Sequence, residues 1–338
     1  MLRIFHYLDE VYREQSFSRA AQKLYLSQPS LSLTIKRYEN EIGVQIFDRS
    51  TTPVKLTEAG EVVMEYIQRI LATQRDMEAY LEDYRELRTG DLTFSAAHMF
   101  SSYLLPRLTA RFLHLCPEID VKITESDFLS LQQMTLNGDV DLLIESHDFE
   151  PSLFQIYPLF EEHILLAVPA NDPANAENAA CMLRTEDVLQ DRHVDCAWPC
   201  VALERFREHP FLMLEKGHDM HSRGLRFCRE SGFEPKVFMY LNQLTTACNL
   251  AAQRLGVTFV SDTAVKLTNL SGELVYYKLP GPNVKRWINM VHKRNRYVSK
   301  AAAAFIAMAT EFSHQGISSL CWENDIMAPV CGSVPLKE

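Results

Sequence analysis

The chain has 338 residues, of which 47% are hydrophobic and 23% are charged, and its formal net charge is −10. This composition is ordinary for a globular protein of two or three domains and excludes a largely disordered chain. No apolar run approaches the roughly 20 residues that span a bilayer, and the first residues form an amphipathic pattern instead of a signal peptide. We therefore expect a cytoplasmic protein.

The negative charge is unevenly distributed along the chain. Residues 1–60 carry eight Lys or Arg against seven Asp or Glu, and most of the acidic excess lies beyond residue 90. Affinity for phosphates depends on local cations, so an acidic total argues only weakly against binding of nucleic acid.

The eight cysteines are dispersed, and no two of them form a Cys-x-x-Cys pair. His193, Cys196 and Cys200 are close in sequence, which makes a metal or redox site conceivable. Irregular spacing in a large chain is more typical of free thiols. We therefore predict no metal ligand and no cofactor.

Three short helices are predicted at the start of the chain. Ser18 is predicted to cap the second helix, while Ser27 and Pro29 begin the third and Gly43 ends it in a left-handed conformation. The first helix covers residues 2–14, and its apolar stripe consists of Leu2, Phe5, Leu8, Val11 and Tyr12.

The predicted third helix has one apolar face and one polar face. Leu31, Ile35 and Tyr38 recur at helical spacing and are expected to face inward. Short polar side chains let a helix approach base edges closely, whereas Lys and Arg bind phosphates. A helical hairpin with a solvated polar face has the same pattern, so this stretch alone leaves DNA binding and simple assembly equally open. The candidate contacts from the two helices are Ser18, Ser27, Gln28, Pro29, Ser30, Ser32, Leu33, Thr34, Lys36 and Arg37, with Arg19 and Lys23 as additional cations.

A short β-wing is predicted next, over residues 44–56, with its turn at residues 50–53. A wing beside a recognition helix reaches the neighbouring backbone or the minor groove. Arg49, Thr51 and Thr52 are its expected DNA contacts, and Lys55 adds a cation.

A long helix is predicted over residues 58–89, and Gly90 is expected to close it. Its seam extends over about three and a half heptads, which is typical of a coiled coil between two chains. A helix packed on its own domain is the alternative. The predicted dimerisation residues are Val63, Tyr66, Ile70, Thr73, Met77, Tyr80, Tyr84 and Leu87.

Beyond residue 90, strand and helix patterns alternate, which indicates parallel βα units. The alternating pattern is divided between two predicted α/β lobes, and residues 170–209 are interpreted as an elaboration of the second. Residues 316–338 are interpreted as a tail or a partner-binding strap. Predicted strands cover 92–97, 120–125, 141–145, 164–168, 237–241, 257–260, 275–279 and 287–292, and predicted helices cover 101–116, 129–137, 243–255 and 299–313.

In open α/β sheets, ligands bind beyond the carboxyl ends of the strands. That rule selects six turns, at 98–102, 126–128, 146–147, 216–218, 242–245 and 261–263. The predicted effector-binding residues in these turns are His98, Met99, Ser101, Ser102, Asp127, Phe128, Ser146, Lys216, Asn242, Thr245 and Ser261.

The segment EIGVQIFDRSTTPVKLTEAG, residues 41–60, extends the pattern of the helices before it. Together these segments resemble the LysR-type transcriptional regulators. Two positions depart from that family's pattern: Leu33 and Thr34 stand where Arg and Gln are usual, and the second wing Arg is replaced within residues 51–53. The matching positions are Phe17, Ser18, Ala20, Ala21, Leu24, Ser27, Gln28, Pro29, Leu31, Ser32, Ile35, Glu39, Gly43, Phe47, Arg49, Leu56, Thr57, Ala59 and Gly60.

The resemblance implies an α+β multidomain protein. Its parts are a winged helix-turn-helix DNA-binding domain (1–60), a dimerising linker helix (61–90), and a two-lobe α/β effector domain similar to periplasmic binding proteins (91–315), followed by a tail (316–338). Lobe I is expected at about 91–162 and 266–315, and lobe II at about 163–265. The implied partners are double-stranded DNA, a small-molecule co-inducer that is often a carboxylate or an amino-acid-like metabolite, RNA polymerase, and further copies of the chain in a homodimer or a tetramer.

The sequence has no glycine-rich phosphate loop, nucleophile elbow or zinc-binding His-x-x-x-His pair, so we do not predict an enzyme. The leading hypothesis is a ligand-responsive regulator that binds dyad-symmetric promoter sites. The competing hypothesis is a metabolite-binding or transport-type module whose N-terminal helices serve only assembly.

Overall fold

The computed structural model describes residues 2–84, 90–268 and 272–315. The described residues form two compact units, of which the first comprises residues 2–84 with 137–139 and the second the remaining described residues. The predicted tail at 316–338 and the seam residue Leu87 lie outside the described residues. No helix in the described ranges is long and apolar enough to span a membrane.

The first unit is a three-helix core with a wing and a long helix. Its elements are α1 (Leu2–Glu14), α2 (Phe17–Lys23), α3 (Gln28–Ile42), β1 (Phe47–Asp48), β2 (Lys55–Leu56) and α4 (Glu58–Tyr84), and β1 pairs with β2 in antiparallel fashion. The predicted α1 stripe is correct at Phe5, Leu8 and Val11, which are buried. It is wrong at Leu2 and Tyr12, which are 44% and 40% exposed, because the core contacts only the middle turns of α1.

The caps of α2 and α3 show where the sequence prediction was right and where it was wrong. Ser16, and not Ser18, caps α2, and its side chain accepts a hydrogen bond from the Arg19 N–H at 3.4 Å. The helix begins at Phe17, whose ring packs edge-on against Phe47 at 5.7 Å between centroids. The predicted start of α3 at Ser27 and Pro29 is confirmed, as is its end at Gly43 with φ of +71°.

The second unit contains a sheet of ten strands with the order β4-β3-β5-β12-β6-β10-β8-β9, while β11 and β7 continue from β6. The strands are β3 (Gly90–Ala96), β4 (Ile119–Thr124), β5 (Leu142–Glu145), β6 (Phe154–Pro169), β7 (Met182–Leu183), β8 (Pro210–Leu214), β9 (Lys236–Leu241), β10 (Val257–Ser261), β11 (Leu274–Lys278) and β12 (Lys285–Lys293). The helices are α5 (Leu105–Leu115), α6 (Phe128–Asn137), α7 (Ala174–Glu177), α8 (Thr185–Leu189), α9 (Asp219–Glu230), α10 (Leu244–Ala252), α11 (Asp262–Leu267) and α12 (Lys300–Gln315).

Two parallel groups of strands are joined by β6 and β12. In the first lobe β3 pairs in parallel with β4 and β5, and in the second lobe β8 pairs in parallel with β9 and β10. The first part of β6 pairs with β12, and its last part pairs with β10 and β11. β6 therefore runs through both lobes, although the sequence predicted only its last part, residues 164–168.

The structure corrects three further expectations about this unit. β11 pairs with residues 165–169 of β6, so it belongs to the second lobe and not, as predicted, to lobe I. Its Tyr276 and Tyr277 are fully buried against that lobe. Gly90 begins β3 instead of closing α4. β8 and α9 were not predicted, and residues 170–209 form α7, β7, α8 and short 3-10 turns.

Candidate DNA-binding and effector sites

The polar face of α3 is open to solvent. Ser32 and Thr34 are half-buried, and the Thr34 hydroxyl donates to the Ser30 carbonyl at 2.8 Å, so its proton is already engaged within the helix. Leu33 is 51% exposed. The other predicted contacts on this face, all exposed, are Ser27, Gln28, Pro29, Ser30, Lys36 and Arg37.

A clamp formed by Glu39 and Arg49 joins α3 to the wing. Glu39 is only 5% exposed, and one of its carboxylate oxygens accepts from the Ile46 and Phe47 N–H groups at 2.9 and 3.2 Å. The other oxygen accepts from Arg49 Nη2 at 2.8 Å, and Arg49 Nη1 donates to the Ser32 hydroxyl at 3.0 Å. The clamp therefore fixes the wing against the middle of the recognition helix.

This clamp changes the interpretation of Arg49. The sequence offered Arg49 as a wing contact to DNA, whereas the structure directs its guanidinium toward Glu39 and over the Phe17 ring, 4.9 Å from the centroid. Sequence reasoning assigned no role to Glu39. Its signal was an acidic residue four positions after Ile35, on the buried face of the helix.

The remaining predicted cations and wing residues lie in different surroundings. Arg19 and Lys23 both form ion pairs with Glu14 on α1, which reduces the positive charge that they offer to a phosphate. At the wing tip Thr52 is exposed and Thr51 is half-buried. Ser18 is exposed on α2.

The wing is also bonded to the start of α4. Thr57 N–H donates to the Ile46 carbonyl at 2.9 Å, and the Thr57 hydroxyl donates to the Gln45 carbonyl at 2.6 Å. The next turn holds Gly60, where an added Cβ would lie 2.1 Å from the Ile46 carbonyl oxygen. Only glycine permits this approach, so the wing and α4 are packed backbone to backbone.

The faces of α4 divide between core and solvent. Met64, Ile67 and Leu71 are buried in the helix-turn-helix core, and Val63 is half-buried beside them. The predicted seam residues from Tyr66 onward lie on the exposed face, and the side chain of Tyr84 lies outside the described residues. We call Tyr66, Ile70, Thr73, Met77 and Tyr80 the exposed stripe; its four large side chains are 59%, 42%, 55% and 52% exposed.

In the first lobe the predicted effector residues lie at the carboxyl ends of β3, β4 and β5. Exposed Ser102 lies beside Ser101, whose hydroxyl is buried and donates to the Ala96 carbonyl at 3.1 Å, so Ser101 does not cap a helix. Met99 is buried, and a π-helical turn, Phe100–Leu104, leads into α5. His98 Nδ1 lies 3.5 Å from a Glu125 carboxylate oxygen.

The end of β5 carries a buried carboxylate that the sequence prediction missed. Glu145 is 4% exposed, and one of its oxygens accepts from the Ser146 N–H and hydroxyl at 2.7 and 3.0 Å. Burial raises the pKa of Glu145, but His147 and the Ser146 N–H outweigh it and hold that pKa below its usual value. The His147 ring stacks on Phe128, 3.7 Å between centroids, and Asp127 caps α6 by accepting from the Ser130 N–H at 3.1 Å.

The second lobe presents fewer of the predicted side chains to this edge. Lys216 and Asn242 are exposed, Thr245 is half-buried, and Ser261 is fully buried as the cap of α11, accepting from the Ala264 N–H at 3.2 Å. Burial lowers the pKa of His218, while the charge of Glu145 in the first lobe acts in the opposite direction. His218 therefore lies within electrostatic reach of the Glu145 group across the lobes.

A second arginine clamp joins the strands between the lobes. Arg286 on β12 donates to Glu162 on β6 at 2.6 Å and to Asp219 at the start of α9 at 2.8 Å. Glu162 is fully buried, and its burial raises its pKa although Arg286 opposes that effect. No local sequence signal connects these residues, because 124 positions separate Glu162 from Arg286.

His193 and the nearby cysteines do not share one environment. His193 is fully buried, with Nε2 2.9 Å from Asp262 Oδ2, whereas Cys196 and Cys200 are exposed. Burial raises the pKa of Asp262, but the His193 hydrogen bond and the charge of Lys266 outweigh it and hold that pKa well below its usual range.

Comparison with known proteins follows the same division of the chain. The family model described as "Bacterial regulatory helix-turn-helix protein, lysR family" matches residues 2–61, and the one described as "LysR substrate binding domain" matches residues 85–313. The chain belongs to the LysR family of transcriptional regulators. It therefore has a helix-turn-helix DNA-binding domain and an effector-binding domain, and it is a regulator and not an enzyme.

Individual relatives support this assignment over nearly the whole length. The "Uncharacterized HTH-type transcriptional regulator YcgK" of Bacillus subtilis (strain 168) is 31% identical over 323 residues, which cover 96% of this chain and 98% of that protein. A "Probable RuBisCO transcriptional regulator" of Gracilaria tenuistipitata var. liui is 29% identical over 301 residues, covering 88% and 92%.

Solved structures show the same fold. Full-length OxyR from Pseudomonas aeruginosa superposes with a TM-score of 0.67 at 23% identity, covering 92% of this chain and 94% of that one. Full-length CbnR complexed with target DNA gives a TM-score of 0.58 at 18% identity, covering 93% and 99%. The predicted family and fold class are thus confirmed, and the competing hypothesis of a transport-type module is wrong.

Proposed function

We propose that this LysR-family protein is a cytoplasmic homodimer that inserts the exposed face of α3 into a dyad-symmetric promoter site and changes its DNA binding when a small polar metabolite occupies the effector domain. The observation that carries the proposal is the α3 face itself. Gln28, Ser30, Lys36 and Arg37 are exposed, while the Glu39–Arg49 clamp fixes the helix that bears them. A rigid helix with such a face suits the major groove.

The exposed stripe on α4 supports the dimer. Tyr66, Ile70, Met77 and Tyr80 expose large side chains at helical spacing, while the opposite face of α4 is used by the core. Two chains joined along this stripe would present two recognition helices related by a two-fold axis. A tetramer would require a second interface.

Sedimentation of the full chain tests this interface. Ile70→Glu should shift the protein to monomer, because a charge would replace a side chain buried between the two helices. Glu61→Lys, an exposed change away from the stripe, should leave the dimer intact. An Ile70→Glu protein that remains a dimer would remove the stripe from the proposal.

The effector is proposed to be a small metabolite with both donors and acceptors, such as an amino-acid-like carboxylate. Support comes from the mixture of groups at the strand ends, where His147 Nδ1 lies 3.5 Å from a Glu145 carboxylate oxygen and the charge of Glu145 influences the pKa of His218 in the second lobe. By linkage, the effector must bind two arrangements of the protein with different affinity, and a coupling of about 1 to 3 kcal/mol suffices.

RNA polymerase is the proposed further partner. A regulator bound at a promoter lies beside the polymerase, so altered DNA binding has a direct route to altered transcription. In vitro transcription with purified polymerase tests this step: a transcript level that does not depend on the protein would contradict it.

Binding of the full chain to its own upstream DNA tests the central proposal. We expect binding that is tighter than to a scrambled duplex and that weakens steeply with salt, because cations on α3 displace counterions from phosphates. Equal, salt-insensitive binding to both duplexes would refute the proposal.

Thermal-shift screening of metabolites against the unmodified protein and Glu145→Gln tests the effector site. A metabolite that stabilises both proteins equally would show that the effector site lies away from Glu145.

A further inference from the structure

Two imidazoles and a carboxylate converge inside the second lobe. They belong to His163, His193 and Asp262, and one ligand-capable atom of each lies within 4.8 Å of the others. The three come from different segments: β6, the 3-10 turn Arg192–Val194, and the first turn of α11. We propose that His163, His193 and Asp262 bind a divalent transition-metal ion of the zinc type.

The donor set suits that chemistry. Two imidazole nitrogens and one carboxylate oxygen form a recurrent three-ligand set for zinc, in which water or a further group takes the fourth position. Zinc bonds of about 2.0 to 2.2 Å require ligand atoms roughly 3.4 Å apart in a tetrahedron. The present spacing is thus within reach of side-chain rotation. The backbone N–H of His163 donates to Asp262 Oδ1 at 2.7 Å, which keeps the carboxylate beside the β6 end of the site.

Burial gives an independent reason to assign a ligand here. The His193 ring is fully buried, and within the described part of the chain its Nδ1 has no hydrogen-bond partner. Buried polar atoms almost always have a partner, so an orphaned imidazole nitrogen calls for an explanation. Coordination of an ion through Nδ1 would give this nitrogen the partner that it lacks.

Lys266 is the group that opposes the ion. Its ammonium lies 3.0 Å from Asp262 Oδ2. A metal ion bound to that carboxylate would therefore be repelled by the positive charge of Lys266. It also lies 2.6 Å from a carboxylate oxygen of Asp191, on the exposed side of the cluster. Lys266 can therefore retain an ion pair with Asp191 while Asp262 turns to the metal.

The position of this site distinguishes it from the proposed effector site. His163 lies on β6 directly after Glu162, which the Arg286 clamp holds between the lobes. An ion bound here would tie the strand shared by both lobes to α11 of the second lobe. The site also departs from the sequence prediction of no metal ligand, because it uses His193 without Cys196 or Cys200.

Titration of the full chain with zinc after removal of metals by a chelator tests the site. We expect one ion per chain, and with cobalt(II) the visible bands of a four-coordinate site without thiolate-to-cobalt charge transfer. Cys196→Ser with Cys200→Ser should leave both results unchanged. No stoichiometric binding, or binding lost with these two thiols, would overturn the proposal.

Single variants then locate the ligands. His193→Gln and Asp262→Asn should each weaken zinc binding at least about tenfold, whereas His114→Gln, at an exposed imidazole on α5, should leave zinc binding unchanged. Lys266→Met should tighten zinc binding because it removes the competing cation. If His193→Gln or Asp262→Asn fails to fold, Lys266→Met still tests the site. Unchanged or weaker zinc binding in Lys266→Met would overturn the assignment.

Discussion

The two arginine clamps differ in sequence separation and in burial. Arg49 reaches a carboxylate ten positions away, and its side chain stays 35% exposed beside α3. Arg286 reaches Glu162 across 124 positions, with both side chains nearly or fully buried. The DNA-binding side is thus held by a contact between near neighbours in sequence whose arginine is partly exposed, whereas the effector domain is held by a contact between distant segments in its interior, where losing one partner costs more.

The largest effect should follow from Arg286→Met. It leaves Glu162 buried without its cation, which we expect to destabilise the effector domain by about 3 to 5 kcal/mol. Urea denaturation of the full chain measures this loss. Lys285→Met, at the neighbouring exposed pair with Glu161, should cost less than about 1 kcal/mol. Similar losses in the two variants would contradict the contrast between the clamps.

Glu39→Ala should have the next largest effect. It removes the acceptor for two N–H groups and for Arg49, at a cost of about 2 to 4 kcal/mol. Hydrogen exchange should become faster at the Ile46 and Phe47 amides in particular. The exposed Glu41→Ala serves as the control. Unchanged exchange at those two amides would show that Glu39 does not hold the wing.

Substitutions on α3 should separate base reading from phosphate binding. Gln28→Ala is expected to reduce discrimination between cognate and random DNA by about 1 to 3 kcal/mol if its contact is direct. Lys36→Ala or Arg37→Ala should weaken all sequences alike and flatten the salt dependence. Lys23→Ala, whose cation is paired with Glu14, should have a smaller effect on the salt slope. Equal effects of all these variants on cognate and random duplexes would refute this division.

Arg49→Lys should have the smallest effect and clarify the role of that residue. Lysine cannot contact Ser32 and Glu39 together as the forked guanidinium does, so we expect a loss of about 1 kcal/mol in stability. Arg49→Gln, which removes the charge, should also leave the salt slope of DNA binding the same, because the guanidinium points toward Glu39 and not toward a phosphate. A slope reduced by about one would instead indicate a direct phosphate contact.

Local patterns were sufficient for the DNA-binding domain, because caps, helix faces and a short wing depend on residues a few positions apart. As predicted, α3 begins at Ser27 and Pro29 and ends at Gly43. Even there the start of α2 was misplaced by two residues, because the packing of Phe17 on Phe47 selects Ser16 as the cap.

The effector domain shows what local patterns cannot supply. The full length of β6, the place of β11 and the contact of Glu162 with Arg286 all depend on strand pairing between distant segments. A buried carboxylate has no distinctive local signature, since its partner can lie anywhere in the chain. The predicted turns lie at the carboxyl ends of the strands, and their role in contacting an effector stays a prediction.

The junction of Thr57 and Gly60 with the wing has a consequence for operator architecture. The wing carbonyls of Gln45 and Ile46 accept hydrogen bonds from Thr57, and Gly60 allows the two backbones to approach. Each helix-turn-helix domain should therefore move as a rigid body with the start of α4. An effector would then change the distance and the rotation between the two α3 helices of a dimer. The bases that each α3 prefers would remain unchanged. Promoters with the spacer lengthened by single base pairs should therefore differ in their response to effector while sharing one consensus half-site.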